Sequence, residues 1–117
     1  MPIDLTCDDG LAIITINRPE RHNAFDAAHY RALSEAWIVV RDDPAIRAAV
    51  ITGAGDKAFS AGADIKSFTA EPPPLGDVML TQAAQLLNRG LEIWKPVIAA
   101  VNGACLGGGL KIGRAHV

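Results

Sequence analysis

Three short apolar runs, Leu11–Ile16, Ala48–Thr52 and the stretch opening at Val97, are separated by segments in which apolar residues recur every three or four positions. That alternation restricts the chain to a layered α/β fold, with the runs as parallel strands buried on both faces and the helices as crossovers. Ile3–Cys7 precedes the first run across Asp8-Asp9-Gly10, a turn signal that predicts an antiparallel hairpin at the N-terminus. From Asp26, a helix N-cap, to about Arg41, the residues Tyr30, Leu33, Trp37 and Val40 define one apolar helical face, with Pro44 beyond its end. Pro72-Pro73-Pro74 interrupts any helix and predicts a surface loop. Leu80, Ala83, Ala84, Leu87, Leu91 and Trp94 then predict a second amphipathic helix, and Lys95-Pro96 turns the chain into the last strand.

Composition excludes several classes. The 117 residues are 50% hydrophobic and 21% charged, as in a globular domain. With 11 Lys+Arg against 13 Asp+Glu and a net charge of −2, the chain has no basic field for nucleic acid. No apolar run reaches the roughly 18 residues needed to span a bilayer, and no basic-then-apolar leader opens the chain. A cytoplasmic protein without membrane or nucleic-acid partners is expected. Cys7 and Cys105 are far apart, and His22, His29 and His116 form no ligand pair, so reduced thiols and no structural metal are expected.

Two segments at the carboxyl ends of predicted strands are the candidates for chemistry, because ligands of α/β sheets bind there. One is Lys57–Lys66, after Gly53-Ala54-Gly55. The other is Gly107-Gly108-Gly109, where the apolar run opens into a turn whose amides carry no Cβ to screen them. Neither glycine cluster is followed by the third glycine of a dinucleotide fingerprint, and Gly103 to Gly108 is followed by Gly109 where a P-loop needs lysine. Ser60 is not in the G-x-S-x-G setting of a nucleophile and has no histidine placed to serve it. Asn17, Arg18 and Asn23 read as structural turn residues.

Ile14–Ala24, Ala49–Gly53 with Ala58–Lys66, and Lys95–Gly103 with Leu106–Gly109 together resemble the crotonase superfamily, the enoyl-CoA hydratase/isomerase family, in motif order and spacing. The resemblance covers nearly all of the chain to Leu110. It implies a crotonase-like (ClpP/crotonase) fold, a repeated ββα spiral of which residues 1–111 form the N-terminal part. It further implies an acyl-CoA thioester as substrate, with coenzyme A part of that substrate and no separate cofactor. The thioester oxygen would sit between the backbone amides of Ala63 and Gly108. Ala61, Ala63, Asp64, Ile65 and Lys66 would meet CoA, Ile65 as an apolar wall and Lys66 near a phosphate, with Arg21 and His22 toward the nucleotide. The parent would be a hydratase or isomerase of fatty acid metabolism that forms homotrimers or hexamers; an inactive CoA-binding remnant is the alternative.

One position departs from the family pattern. Hydratases of the family commonly carry a glutamate two positions after the triple glycine, where this chain has Lys111, and the second common glutamate falls beyond Val117. Lysine cannot act as a carboxylate base, so the 117 residues alone are expected to be inactive. Ile112-Gly113-Arg114-Ala115-His116-Val117 has no apolar period and is the peptide that ATC GGA AGA GCA CAC GTC would encode, a string similar to a sequencing adapter. Residues 112–117 are therefore expected to be a non-native tail, with Lys111 a hybrid codon.

Overall fold

The computed structural model describes residues 3–62 and 92–106. The chain opens with β1 (Ile3–Asp8) and β2 (Leu11–Ile16), paired antiparallel with Asp8 opposite Leu11. The two residues between them, Asp9 and Gly10, have φ of 48° and 83°. Positive φ at both positions gives a tight loop whose twist matches that of the strands, as the Asp-Gly pair predicts.

Helix α1 (Ala27–Asp42) follows a single 3-10 turn at Pro19–Arg21. Asp26 caps it, one carboxylate oxygen accepting from the His29 amide at 2.9 Å and meeting the His29 Nδ1 at 2.6 Å. At the far end Lys95 donates from Nζ to the carbonyls of Val40 (2.7 Å) and Asp43 (2.8 Å). The Val40 carbonyl is one that a helix terminus leaves without an internal partner, and the Asp43 carbonyl also accepts from the Ile46 amide at 3.1 Å, so the cation satisfies the helix end and suits its dipole.

Strand β3 (Ala48–Gly53) lies parallel to β2 on one side and to β5 (Val97–Ala100) on the other, giving the order β1-β2-β3-β5. Parallel neighbours in register project side chains to the same face. Ala12 and Ala49, then Ile14 and Ile51, form fully buried pairs that cluster with Leu33, Trp37 and Val40 of α1. The opposite face carries the row Ile13, Val50, Ile98, of which Ile13 is 37% and Ile98 59% exposed. Burial of every strand on both faces was therefore an over-reading: among the described residues α1 covers one face only.

Two further differences concern short elements. Ala58–Ser60 (β4) and Ala104–Cys105 (β6) pair in parallel as a separate two-stranded sheet that the sequence does not announce. Trp94, assigned from periodicity to the apolar face of the second helix, lies outside any regular element and is 92% exposed. The remainder of that helix and the Pro72–Pro74 loop lie outside the described residues. Among the described residues, no helix is long and apolar enough to cross a membrane.

Candidate functional site

The carboxyl ends of β3 and β5 adjoin, and each leads directly into a strand of the small sheet. Between β3 and β4 the chain makes a turn at residues 54–57; between β5 and β6 it turns at Val101-Asn102-Gly103. Asn102 joins the two turns. Its Oδ1 accepts from the Gly53 amide at 3.0 Å, and its Nδ2 donates to the carbonyls of Gly55 (3.0 Å) and Ala58 (3.4 Å). Thr52 Oγ1 adds a bond to the Ala100 carbonyl at 2.9 Å.

Glycine lets the backbones approach this closely. A Cβ on Gly53 would stand 2.5 Å from the Phe59 carbonyl oxygen, and one on Gly103 would stand 2.6 Å from that of Lys57. Beside Gly103, the Ala104 amide donates to the same Lys57 oxygen at 3.2 Å, and the Leu106 amide to the Ser60 oxygen at 3.1 Å. Ser60 lies three residues before Ala63, and Leu106 two before Gly108.

A second asparagine fixes the same turn from the other side. Asn23 is fully buried with φ of 56°, a left-handed conformation that asparagine tolerates better than most residues. Its Nδ2 donates to the carbonyls of Ala54 (3.0 Å) and Ala58 (2.9 Å), and its Oδ1 accepts from the Arg18 amide at 2.9 Å. Ser60 is also fully buried; its hydroxyl donates to the Asn23 carbonyl at 2.9 Å and accepts from the Gly62 amide at 3.1 Å. That hydroxyl is committed to backbone and is not a nucleophile. The chain then reaches Ala61, whose amide donates to the His22 carbonyl at 3.0 Å, and Gly62, whose φ of 91° requires glycine.

Of the residues singled out from sequence, Ala61 and His22 are thus brought together by backbone. His22 also lines a cleft of about 200 Å³ with Pro19, Asn23, Ala54, Asp56 and Lys57. Arg21 is exposed and does not line it. Ala63, Asp64, Ile65, Lys66, Gly108, Lys111 and the tail 112–117 lie outside the described residues. Lys57, the first residue of the candidate segment Lys57–Lys66, lines the cleft although no role was assigned to its side chain from sequence. Asn102 was missed because a strand followed by Asn-Gly signals a turn and says nothing of what the amide will bond.

The titratable groups of the region have local environments. Partial burial pushes the Cys105 thiol pKa up, so Cys105 is not an activated thiolate. Among the described residues, no group of three His, Cys, Asp or Glu side chains could hold a metal ion. Asp26 lies below the ordinary carboxylate value: partial burial raises it, but hydrogen bonds from the His29 ring and amide, with the charges of His29 and Arg18, outweigh that effect. The Arg18 guanidinium stands 3.9 Å from that carboxylate.

Fold and site together define an α/β protein in which two asparagines brace the backbone at the ends of parallel strands. The chain belongs to the enoyl-CoA hydratase/isomerase family, whose model matches residues 6–115. It is 43% identical to the (E)-benzylidenesuccinyl-CoA hydratase of Thauera aromatica, over 98% of this chain and 44% of that protein. Among solved structures it resembles an enoyl-CoA hydratase/carnithine racemase from Magnetospirillum magneticum, with a TM-score of 0.87 and 33% identity over 99% of this chain and 44% of that one. A carnitinyl-CoA dehydratase from Mycobacterium avium 104 gives a TM-score of 0.79 and 39% identity over 98% and 43% of the respective chains. The chain therefore spans less than half the length of these relatives, and its sheet is the crotonase fold's over that span.

Proposed function

We propose that these residues supply the oxyanion-binding half of an acyl-CoA hydratase or isomerase, with the amides of Ala63 and Gly108 as donors to the thioester oxygen. The observation that carries this reading is the β4–β6 ladder, closed by the Leu106 amide on the Ser60 carbonyl at 3.1 Å. It holds the two segments at backbone hydrogen-bonding distance immediately before the proposed donors. Proton removal or addition next to a thioester carbonyl passes through an enolate with its charge on that oxygen. Fixed amides favour that charge, and loss of one such donor costs about 10²–10³ in rate, or ~3 kcal/mol.

Coenzyme A enters as part of the substrate, and no separate cofactor is required. The cleft beside Ala61 is bordered by His22 and Lys57, side chains able to meet its phosphates. Arg21 adjoins it in sequence, and Asp64, Ile65 and Lys66 are assigned to CoA by the family resemblance. The protein acts in the cytoplasm, and its full-length parent is a homotrimer or hexamer. Lys111 stands where hydratases of the family commonly carry a water-activating glutamate, so these residues polarise the thioester without hydrating it.

The test is to add crotonyl-CoA carrying 13C at the thioester carbonyl to the purified chain. Isotope-edited infrared spectroscopy should show the bound carbonyl band at lower frequency, with the conjugated absorbance unchanged over time. A bound ligand with an unshifted carbonyl would remove the oxyanion reading; steady loss of absorbance would remove the claim that the chain alone is inactive.

A further inference from the structure

We propose that Asn102-Gly103 is a site of self-modification: deamidation of Asn102, held back by its native hydrogen bonds, whose product unfastens β5 and β6 from β3 and β4. The site lies wholly in the strand-end turns and does not depend on the acyl-CoA reading. Of the asparagines Asn17, Asn23, Asn88 and Asn102, only Asn102 precedes glycine. An asparagine reacts with its own backbone when the amide nitrogen of the next residue attacks its Cγ, and a side chain on that next residue obstructs the approach. Gly103 has none, and the turn at Val101-Asn102-Gly103 is exposed, so water reaches both reacting groups.

In the first step the Gly103 nitrogen gives its proton to hydroxide and bonds to Asn102 Cγ; the Cγ–Nδ2 bond breaks and Nδ2 leaves as ammonia. The cyclic imide that remains is opened by water at either of its carbonyls. One opening leaves aspartate. The other leaves isoaspartate, in which the main chain runs through the former side chain. The net change is one ammonia lost for one water gained, with no oxidant or reductant.

Packing explains why so labile a pair stands here. Position 102 must both accept and donate, taking the Gly53 amide at 3.0 Å and giving to the Gly55 and Ala58 carbonyls at 3.0 and 3.4 Å. Position 103 admits no Cβ, which would stand 2.6 Å from the Lys57 carbonyl oxygen. The same contacts restrain the reaction, because the Asn102 amide is tied through both its oxygen and its nitrogen to the opposite turn. Attack on Cγ needs those bonds released, so local opening gates it.

The product reverses the fastening. A carboxylate only accepts. The Gly53 amide keeps its acceptor, but an oxygen now replaces Nδ2 against the Gly55 and Ala58 carbonyl oxygens. Isoaspartate also lengthens the main chain just before Gly103, next to the Ala104 amide that reaches the Lys57 carbonyl at 3.2 Å. The strand ends released in this way are those that carry the candidate site.

The parent chain would be held in mildly alkaline buffer with and without urea, then digested for peptide mass spectrometry, with an isoaspartate-specific methyltransferase marking the rearranged product. Asn102 should gain the mass of amide-to-acid conversion ahead of the other asparagines, and about tenfold or more faster in urea. Equal rates at Asn102 with and without urea would overturn the gating, and conversion of Asn17 as fast as Asn102 in urea would overturn the site. Hydrogen exchange in Asn102→Asp reads the consequence: the Ala104 and Leu106 amides should exchange about tenfold or more faster than in the parent, with those of β2 unchanged. Unchanged exchange at Ala104 and Leu106, or equal acceleration throughout β2, would overturn the unfastening. If Asn102→Asp does not fold, the same comparison is made on parent chain partly converted during the incubation.

Discussion

The two flanks of β3 are built from similar sequence and end in opposite conditions. On the β2 side, Ala12, Ile14 and Ile16 are wholly buried against α1, and β1 closes the edge through a six-pair antiparallel ladder. On the β5 side, four residue pairs join the strand to β3, Ile98 is 59% exposed, and Trp94, Val101 and Leu106 are exposed beside it. Among the described residues, full apolar burial is thus concentrated on one flank, and the candidate site hangs from the other. Among the described residues, Ile93, Val97, Ala99 and Cys105 pack part-buried against the core, and polar and backbone bonds complete the fastening of the second flank: Lys95 on the end of α1, Asn102 across the strand ends, and the β4–β6 ladder.

Mutations can break or sharpen that contrast. Trp37→Ala, in the covered face, should cost about 3–5 kcal/mol by lost transfer and cavity terms, enough to abolish a cooperative urea transition. Gly103→Ala should cost about 1–3 kcal/mol through the clash with the Lys57 carbonyl, and should weaken the carbonyl shift of bound crotonyl-CoA more than Trp37 variants of equal stability do. Asp26→Ala should cost about 1 kcal/mol as a lost helix cap, read from the urea midpoint. Because the Asp26 pKa is lowered in the folded state, its contribution is present above the unfolded carboxylate value and is lost as pH falls through the folded one. A comparison of parent and Asp26→Ala midpoints between neutral pH and pH 3 should therefore show the gap closing in acid. The smallest effect is expected at Ile98→Lys: within about 0.5 kcal/mol of the parent, with less self-association in sedimentation, since it replaces an exposed apolar group. Destabilisation by Ile98→Lys comparable to that of Trp37→Ala would erase the distinction between the flanks.

The covered flank was also the legible one. Asp9-Gly10 announced its turn, Asp26 and Pro44 bracketed α1, and Leu33, Trp37 and Val40 marked the face that the structure buries. These are local signals, each decided within a few residues. Apolar runs, by contrast, say that a strand wants cover without saying whether it finds it, and so β5 was assigned burial on both faces when its alternate residues stand open. Strands as short as Ala58–Ser60 and Ala104–Cys105 carry no readable period, and their pairing is set by bonds such as Ala104 to Lys57 that span the chain. At the site, the family motifs were visible, and Asn23 was correctly a turn residue. What could not be read was that its amide would reach Ala54 and Ala58, more than thirty residues away.

The parallel pairing of β3 with β5 carries a kinetic consequence. The hairpin closes over two residues, whereas Ala49 meets Val97 only after the intervening chain has been gathered in. Closure of so long a loop spends its entropy before any contact repays it, which places this pairing late in folding. The hairpin and α1 can assemble from neighbours in sequence, but the Asn102 brace and the β4–β6 ladder must wait for β5 to arrive. Refolding followed at two probes should therefore separate in time, burial of Trp37 being complete before protection of the part-buried Cys105 thiol of β6.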